Sequence, residues 1–345
     1  MLPVTKFAPL PDIVNEVDGG VTYPQRLRVA GVASGVKRRA SSTWASLRPR
    51  FRASRRRRSR QRRRRARAAH ARDQRFWGTT VVLKYGGAAM TSPRLQEQFA
   101  EDIVLLRLVG MKPVVVHGGG PEISRHMARL GMEAEFVDGH RVTDEATMEI
   151  AKMVLVGKVN KEIVGLISRH GGTAVGISGE DGRLLRVTPK THQDEAGNAV
   201  ELGFVGEVAE VDVSVLDLLA EANIPVVASV GANEKGEAYN VNADTVAGEL
   251  AAALGAEKII FLSDVEGVYE GQGGEVAPVS ECDLAYLGAL QAAGRITGGM
   301  IPKVAAVRKA LESGVASAHI IDGRVEHAVL LEILTDAGCG TKVTA

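Results

Sequence analysis

Only two cysteines, Cys282 and Cys339, occur in 345 residues. They are too few for a disulfide framework or a zinc site, and they read as small half-buried residues. Aromatic residues make up 4% of the chain, so the core must be built from Val, Ile, Leu and Ala. No apolar run reaches the length of a membrane span, and the N-terminus lacks the basic-then-apolar pattern of a secretory signal, which sets the expectation at a cytoplasmic protein. Two nucleotide-binding signatures are also missing. No GxxxxGK[ST] occurs, and HGGG at His117 to Gly120 is not continued into GxGxxG, which would need glycine at or near Arg125. A Walker loop is thereby excluded, and a dinucleotide site is argued against.

What is present divides into two compositions. Through Trp77 the chain has 21 Lys+Arg against 4 Asp+Glu, a balance of +17; the remainder has 22 against 37, or −15. Four consecutive arginines occur at Arg55 to Arg58 and again at Arg62 to Arg65. Self-repulsion and the lack of apolar periodicity argue against a fixed fold there. Clustered guanidinium groups bind polyanions by counterion release, but stacking aromatics are nearly absent, so a nucleic-acid partner is expected only nonspecifically. Val21 to Lys37, VTYPQRLRVAGVASGVK, resembles the opening of the glutamate N-acetyltransferase/ornithine acetyltransferase family. The resemblance stops after Lys37, and one back-translation open to Arg38 to Trp44 gives, in another frame, a sequence like ASGKLDL, which would continue that family. The expectation is a gene fusion or frameshift product joined to an intact enzyme, which an uninterrupted reading frame shared by related strains would overturn. The boundaries expected are 1–77 for a basic extension and 78–345 for the folded domain.

From Thr79 onward, signals for strands and helices alternate, which argues for parallel βαβ units. Strands are expected at Val81 to Lys84, Pro113 to His117, Thr173 to Ile177, Ile224 to Ser229, Lys258 to Leu262 and Ala318 to Asp322. Helices are expected at Leu95 to Val109, from Pro121, from an Asp144 cap to about His170, and over Asp244 to Leu254, Glu281 to Ala293 and Ile301 to Glu312. A hairpin around Asp138-Gly139 and a β-rich excursion over Thr191 to Val200 complete the plan. The fold class is α/β: a three-layer αβα sandwich around a mostly parallel open sheet.

Four short strings carry the chemistry. Lys84 ends the apolar run of VVLKYGG beside Gly86 and Gly87, and Lys303 follows two glycines in ITGGMIPK. A lysine at a strand end is most often solvated. Two of them, each beside a glycine pair, instead supply cations and bare backbone N–H groups where open α/β sheets bind ligands. HGGG precedes a helix, so its N–H groups can cradle a phosphate or carboxylate. In NVNAD, Asn240 to Asp244, the aspartate is either an N-cap or a carboxylate holding both lysines in register, and the second reading fits the company better. Arg141 in GHRVT could fork onto a substrate carboxylate, with a surface ion pair as the alternative. Phosphoryl transfer needs this kind of positioning and positive charge.

In order, KYGGAAM, VVVHGGGP, GHRVT, NVNAD, LSDVEGVY and ITGGMIPKV resemble the amino-acid kinase family, and within it the N-acetylglutamate kinases. The resemblance covers nearly all of Thr79 to Ala345. It implies ATP-dependent phosphorylation of the γ-carboxylate of N-acetyl-L-glutamate, in the second step of arginine synthesis. It also implies roles: Lys84 and Lys303 stabilise the transition state, Asp244 orients them, and Gly119, Gly120, Arg141 and Asn240 hold the acceptor. ATP is expected over Gly86, Gly87, Ser263, Asp264, Gly267, Arg295, Ile296 and Thr297, with Mg²⁺ bridging its phosphates and no protein-built metal cage. The lobes would divide near residue 225, acceptor in 78–225 and nucleotide in 226–345.

The C-terminal HAVLLEILTDAGCGTKV resembles the arginine-sensitive branch, which implies a feedback site at Glu332 and Gly338 with His319 beside it. That branch also has an N-terminal helix that joins dimers into a hexamer; here only Arg75-Phe76 of it survives. A homodimer is therefore expected rather than a hexamer, and a PII-type signalling protein remains an open partner. Two rivals stand beside this reading: another acyl-phosphate-forming amino-acid kinase, and a nucleic-acid-binding protein using the arginine tract on a degenerate kinase scaffold.

Overall fold

The computed structural model describes residues 76–345 apart from 138, 194–198, 271–276 and 336–337. The arginine tract, the acetyltransferase-like segment and the expected tip of the 191–200 excursion lie outside the described residues. An eight-stranded sheet forms the centre. Its strands are numbered in chain order: β1 Thr80–Tyr85, β2 Lys112–His117, β3 Ala174–Ser178, β4 Ile224–Ala228, β5 Lys258–Ser263, β6 Glu281–Asp283, β7 Ser317–Asp322 and β8 Gly340–Thr344. Their order across the sheet is β6-β8-β7-β5-β1-β2-β4-β3. All neighbours pair in parallel except β7 and β8. β2, β4 and β5 are buried along almost their whole length, with central residues that are Val, Ile, Leu and Phe, as strands covered on both faces must be.

The helices are α1 Pro93–Leu108, α2 Gly120–Arg129, α3 Glu145–Lys152, α4 Asn160–Arg169, α5 Ser214–Ala222, α6 Ala243–Ala253, α7 Leu284–Ala292, α8 Met300–Glu312 and α9 Ala328–Leu334. Two apolar clusters lie on opposite faces of the sheet. One joins Leu83 and Val115 to α1 and α4 residues, and the other joins Val82 and Val116 to α6 and α8 residues. Alternate residues of one strand thus supply both cores, the three-layer arrangement expected. No helix among the described residues is long and apolar enough to cross a membrane.

Three features differ from the sequence reading. Asp144 caps α3, accepting from Thr147 N, but the long helix changes to a π-helical segment at Met153–Val159 before α4. Glu281–Asp283 is an edge strand paired with β8, and the helix begins only at Leu284, capped by Asp283. In ECD the middle residue is half-buried between two exposed acids; that period of two is a strand's, and three residues are too few to reveal it against a helical continuation. Finally, Leu185–Pro189, Val205–Val211, Val230–Ala232 and Ala238–Val241 close a small barrel. Its alternation of buried and exposed residues in LRVTP was a usable signal.

Candidate active site

Asp244 stands between two ammonium groups. Its Oδ1 lies 3.0 Å from Lys84 Nζ and its Oδ2 3.1 Å from Lys303 Nζ. Lys84 comes from β1, Asp244 from the first turn of α6 and Lys303 from the first turn of α8, so three separate elements converge. The carboxylate is free for this because Asn242, not Asp244, caps α6: its Oδ1 accepts from Asp244 N at 2.8 Å and Thr245 N at 3.2 Å.

Two charges of +1 and one of −1 leave a buried surplus of positive charge. Burial alone would raise the Asp244 carboxyl, but Lys84 and Lys303 outweigh it and hold the group below the usual carboxylate range. Burial lowers the Lys303 ammonium despite Asp244, with Lys84 acting in the same direction as burial. Such a cluster prefers an anion beside it.

Two cavities open on either side. A cavity of about 1000 Å³ is lined by Gly119, Gly120, Arg141 and Asn240, and one of about 490 Å³ by Ser263, Asp264, Gly267, Arg295, Ile296 and Thr297. Lys84, Gly87 and Asp244 line both, while Lys303 lines only the smaller. Gly86, expected on the ATP side, lines the larger cavity instead. A Cβ on Gly86 would lie 2.7 Å from Lys84 Nζ, so the residue gives room to the lysine.

Arg141 is buried and pre-set. Its Nη2 donates to Gly120 O at 2.9 Å and Ser124 Oγ at 2.7 Å, and its Cζ sits 4.6 Å from the Phe136 ring centroid. The sequence reading missed His117 and Asn160, both fully buried behind the glycine loop, with Asn160 Nδ2 3.1 Å from His117 Nε2. An asparagine inside an apolar helical stretch, VGKVNKEIVG, was the available signal, since a buried amide needs partners.

His319, Glu332 and Gly338 also come together. His319 Nδ1 lies 2.6 Å from Glu332 Oε1, and Cys339 N donates to Glu332 Oε2 at 2.7 Å. Burial lowers His319, with Glu332 opposing, and the imidazole also meets Ser317 Oγ at 2.9 Å. Burial would raise Glu332, but its bonds to His319 and Cys339 N bring it below the usual range. Gly338 has φ of 63° and would set a Cβ 2.8 Å from Glu332 Oε2. Among the described residues no group of three or more His, Cys, Asp or Glu could hold a metal ion.

The amino acid kinase family model matches residues 79–322, a span that contains all three residues of the lysine–aspartate cluster. The chain belongs to the amino acid kinase family. Within that family it has acetylglutamate kinases among its relatives. It is 54% identical over 272 residues to the chloroplastic acetylglutamate kinase of Arabidopsis thaliana, covering 79% of this chain and 77% of that one. To the acetylglutamate kinase of Syntrophobacter fumaroxidans it is 53% identical over 277 residues, covering 78% and 92%. Among solved structures, the N-acetylglutamate synthase of Neisseria gonorrhoeae superposes with a TM-score of 0.70 at 22% identity, covering 81% of this chain and 62% of that one. The carbamate kinase of Giardia superposes at 0.57 and 18% identity, covering 77% and 99%. At those identities the likeness is one of fold.

Proposed function

We propose that this kinase transfers the γ-phosphoryl group of ATP to the γ-carboxylate of N-acetyl-L-glutamate, giving N-acetyl-L-glutamyl 5-phosphate and ADP, in the second step of arginine biosynthesis. The observation that carries the reading is the junction of two cavities at Lys84 and Asp244, with Lys303 facing the smaller one, in a chain about half identical to acetylglutamate kinases. A carboxylate oxygen attacks phosphorus, a new P–O bond forms, and the bond to the bridging oxygen of ADP breaks. The acceptor is already ionised at neutral pH, so no proton has to be removed and no general base is required. What the reaction demands is charge and alignment. Lys84 and Lys303 meet the negative charge spread over the transferring group, and Asp244 sets the distance between them.

Acceptor binding falls to Gly119, Gly120, Arg141 and Asn240, with the Arg141 fork on a carboxylate. ATP lies over Gly87, Ser263, Asp264, Gly267 and Arg295 to Thr297. Residues up to about 225 build most of the acceptor cavity and residues from about 226 most of the nucleotide cavity, with Ser229 and Asn240 to Asp244 crossing into the first and Lys84 and Gly87 into the second. The donor set fits a magnesium ion carried on nucleotide phosphates: Asp244 is taken up by lysines, which leaves Asp264 as the carboxylate lining the nucleotide cavity. Magnesium commonly binds through phosphates, water and one or two carboxylates, and would neutralise phosphate charge.

The cluster of His319, Glu332 and Gly338 is the seat of feedback by arginine in this reading, and the chain is a cytoplasmic homodimer. A coupled assay with ATP and N-acetylglutamate tests the function. Turnover must be present in the wild type and be lost in Lys84→Ala and Lys303→Ala; undiminished turnover in both variants overturns the assigned roles. Dimers in sedimentation are expected, and hexamers overturn that part.

A further inference from the structure

A second polar network lies behind the glycine loop. Asn160 opens α4 directly after the π-helical segment, and its Nδ2 meets Val226 O at 2.9 Å, His117 Nε2 at 3.1 Å and Ile177 O at 3.3 Å. Its Oδ1 accepts from Lys161 Nζ at 3.1 Å, and the same ammonium donates to Gly176 O at 3.0 Å. Gly176 is required here, since any Cβ on it would overlap Asn160 Oδ1.

An amide NH₂ can only donate, and its two protons are shared among Val226 O, His117 Nε2 and Ile177 O, so His117 Nε2 faces it as an acceptor and the imidazole proton resides on Nδ1. From there it is given to Gly118 O at 2.9 Å. Burial lowers His117 to about 4, against the bond to Gly118, so the ring is neutral; Lys161 is the charged group whose field reaches it. The Gly118 carbonyl and the Gly119 N–H belong to one trans peptide plane and point in opposite directions. A carbonyl turned toward the buried imidazole therefore turns the Gly119 N–H away from it, on a loop that lines the larger cavity. The π-helical segment fixes the loop from another side: a Cβ on Gly119 would lie 2.7 Å from Leu155 Cδ2 and 3.3 Å from Val159 Cγ2.

We propose that Asn160 is a positioning residue for phosphoryl transfer: by fixing the Nδ1–H form of His117 it holds the Gly118 carbonyl inward and aims the Gly119 N–H at the acceptor. This rests on the acetylglutamate kinase reading for what the cavity binds, but the imidazole form can be tested without it. Asn160→Asp is the informative variant. A carboxylate cannot donate to Nε2, so a neutral His117 must carry its proton there and turn a lone pair on Gly118 O. Only the imidazolium satisfies both neighbours.

In Asn160→Asp, kcat near pH 8 is expected to fall about 100-fold, as small misplacements at a reacting centre do. It should recover as the pH falls toward about 6 and the ring takes its second proton, a rise absent from the wild type. KM for ATP should not change. In ¹⁵N NMR of the imidazoles, wild-type His117 should be the neutral Nδ1–H form at neutral pH. A wild-type Nε2–H form or imidazolium overturns the proposal, whether or not the variant folds. So does a variant whose kcat matches wild type at every pH, or one that loses kcat and both KM values together with no pH dependence. If wild type turns over neither ATP nor N-acetylglutamate, the kinase reading has failed, while the imidazole spectrum still decides the hydrogen-bond assignment.

Discussion

Gly86 owes its identity to Lys84. The ammonium of Lys84 occupies the space where a side chain at residue 86 would begin, 2.7 Å from an ideal Cβ. The obstacle is the far end of a flexible side chain, so Gly86→Ala should fold and melt close to wild type while displacing the cation from Asp244. A loss of about 10-fold to 100-fold in kcat is expected from misplaced transition-state charge. Steady-state kinetics beside a thermal melt check it; unchanged kcat would show that Lys84 does not need its observed position.

Asp244→Asn should be costly in two ways. It leaves two ammonium groups facing each other in a site where Lys303 and Asp244 are both buried, and breaking such a pair typically costs about 3 to 5 kcal/mol. Repulsion also lowers Lys303 further, so turnover should fall as pH rises into the alkaline range. Urea midpoints and a kcat–pH profile measure the two effects separately.

His117 makes the fold sensitive to acid. Its folded value of about 4 lies below the ordinary 6.5, so the unfolded chain takes up the proton first as pH falls. The contribution is complete above about pH 6.5 and is lost progressively toward pH 4, amounting to about 3 kcal/mol. The urea midpoint should follow this limb, and His117→Gln should flatten it; an equally steep limb in the variant would assign the acid sensitivity elsewhere.

Removing residues 1 to 74 should leave kcat and both KM values unchanged, since every residue assigned to the two cavities lies between Lys84 and Lys303. Loss of activity in a truncated protein that still folds would give the basic segment a catalytic part.

Much of the fold was readable in order. The apolar runs ending at Lys84, His117 and Ser263 are strands because Val and Ile suit a sheet buried on both faces, and the glycines after the first two line the larger cavity. The edge strand at Glu281–Asp283 escaped because a three-residue alternation cannot outweigh the helical run that follows it. The π-helical segment escaped because nothing in MVLVGKV sets it apart from the helix on either side; in space it sets Leu155 and Val159 against Gly119. The choice for Asp244 between cap and ion bridge was settled by a neighbour, Asn242, which took the cap.

The sequence by itself determined the alternating α/β plan, the glycine loops and the residue types that phosphoryl transfer needs, because periodicity and glycine placement are local properties. Tertiary structure alone decided which groups meet. Lys84, Asp244 and Lys303 are far apart in the chain, and both lysines come within 3.1 Å of Asp244 because β1, central in the sheet, and the first turns of α6 and α8 bring them together. There the two lysines hold Asp244 below the usual carboxylate range against its burial, and burial lowers Lys303, since these effects depend on what surrounds a group in space and no local pattern records it.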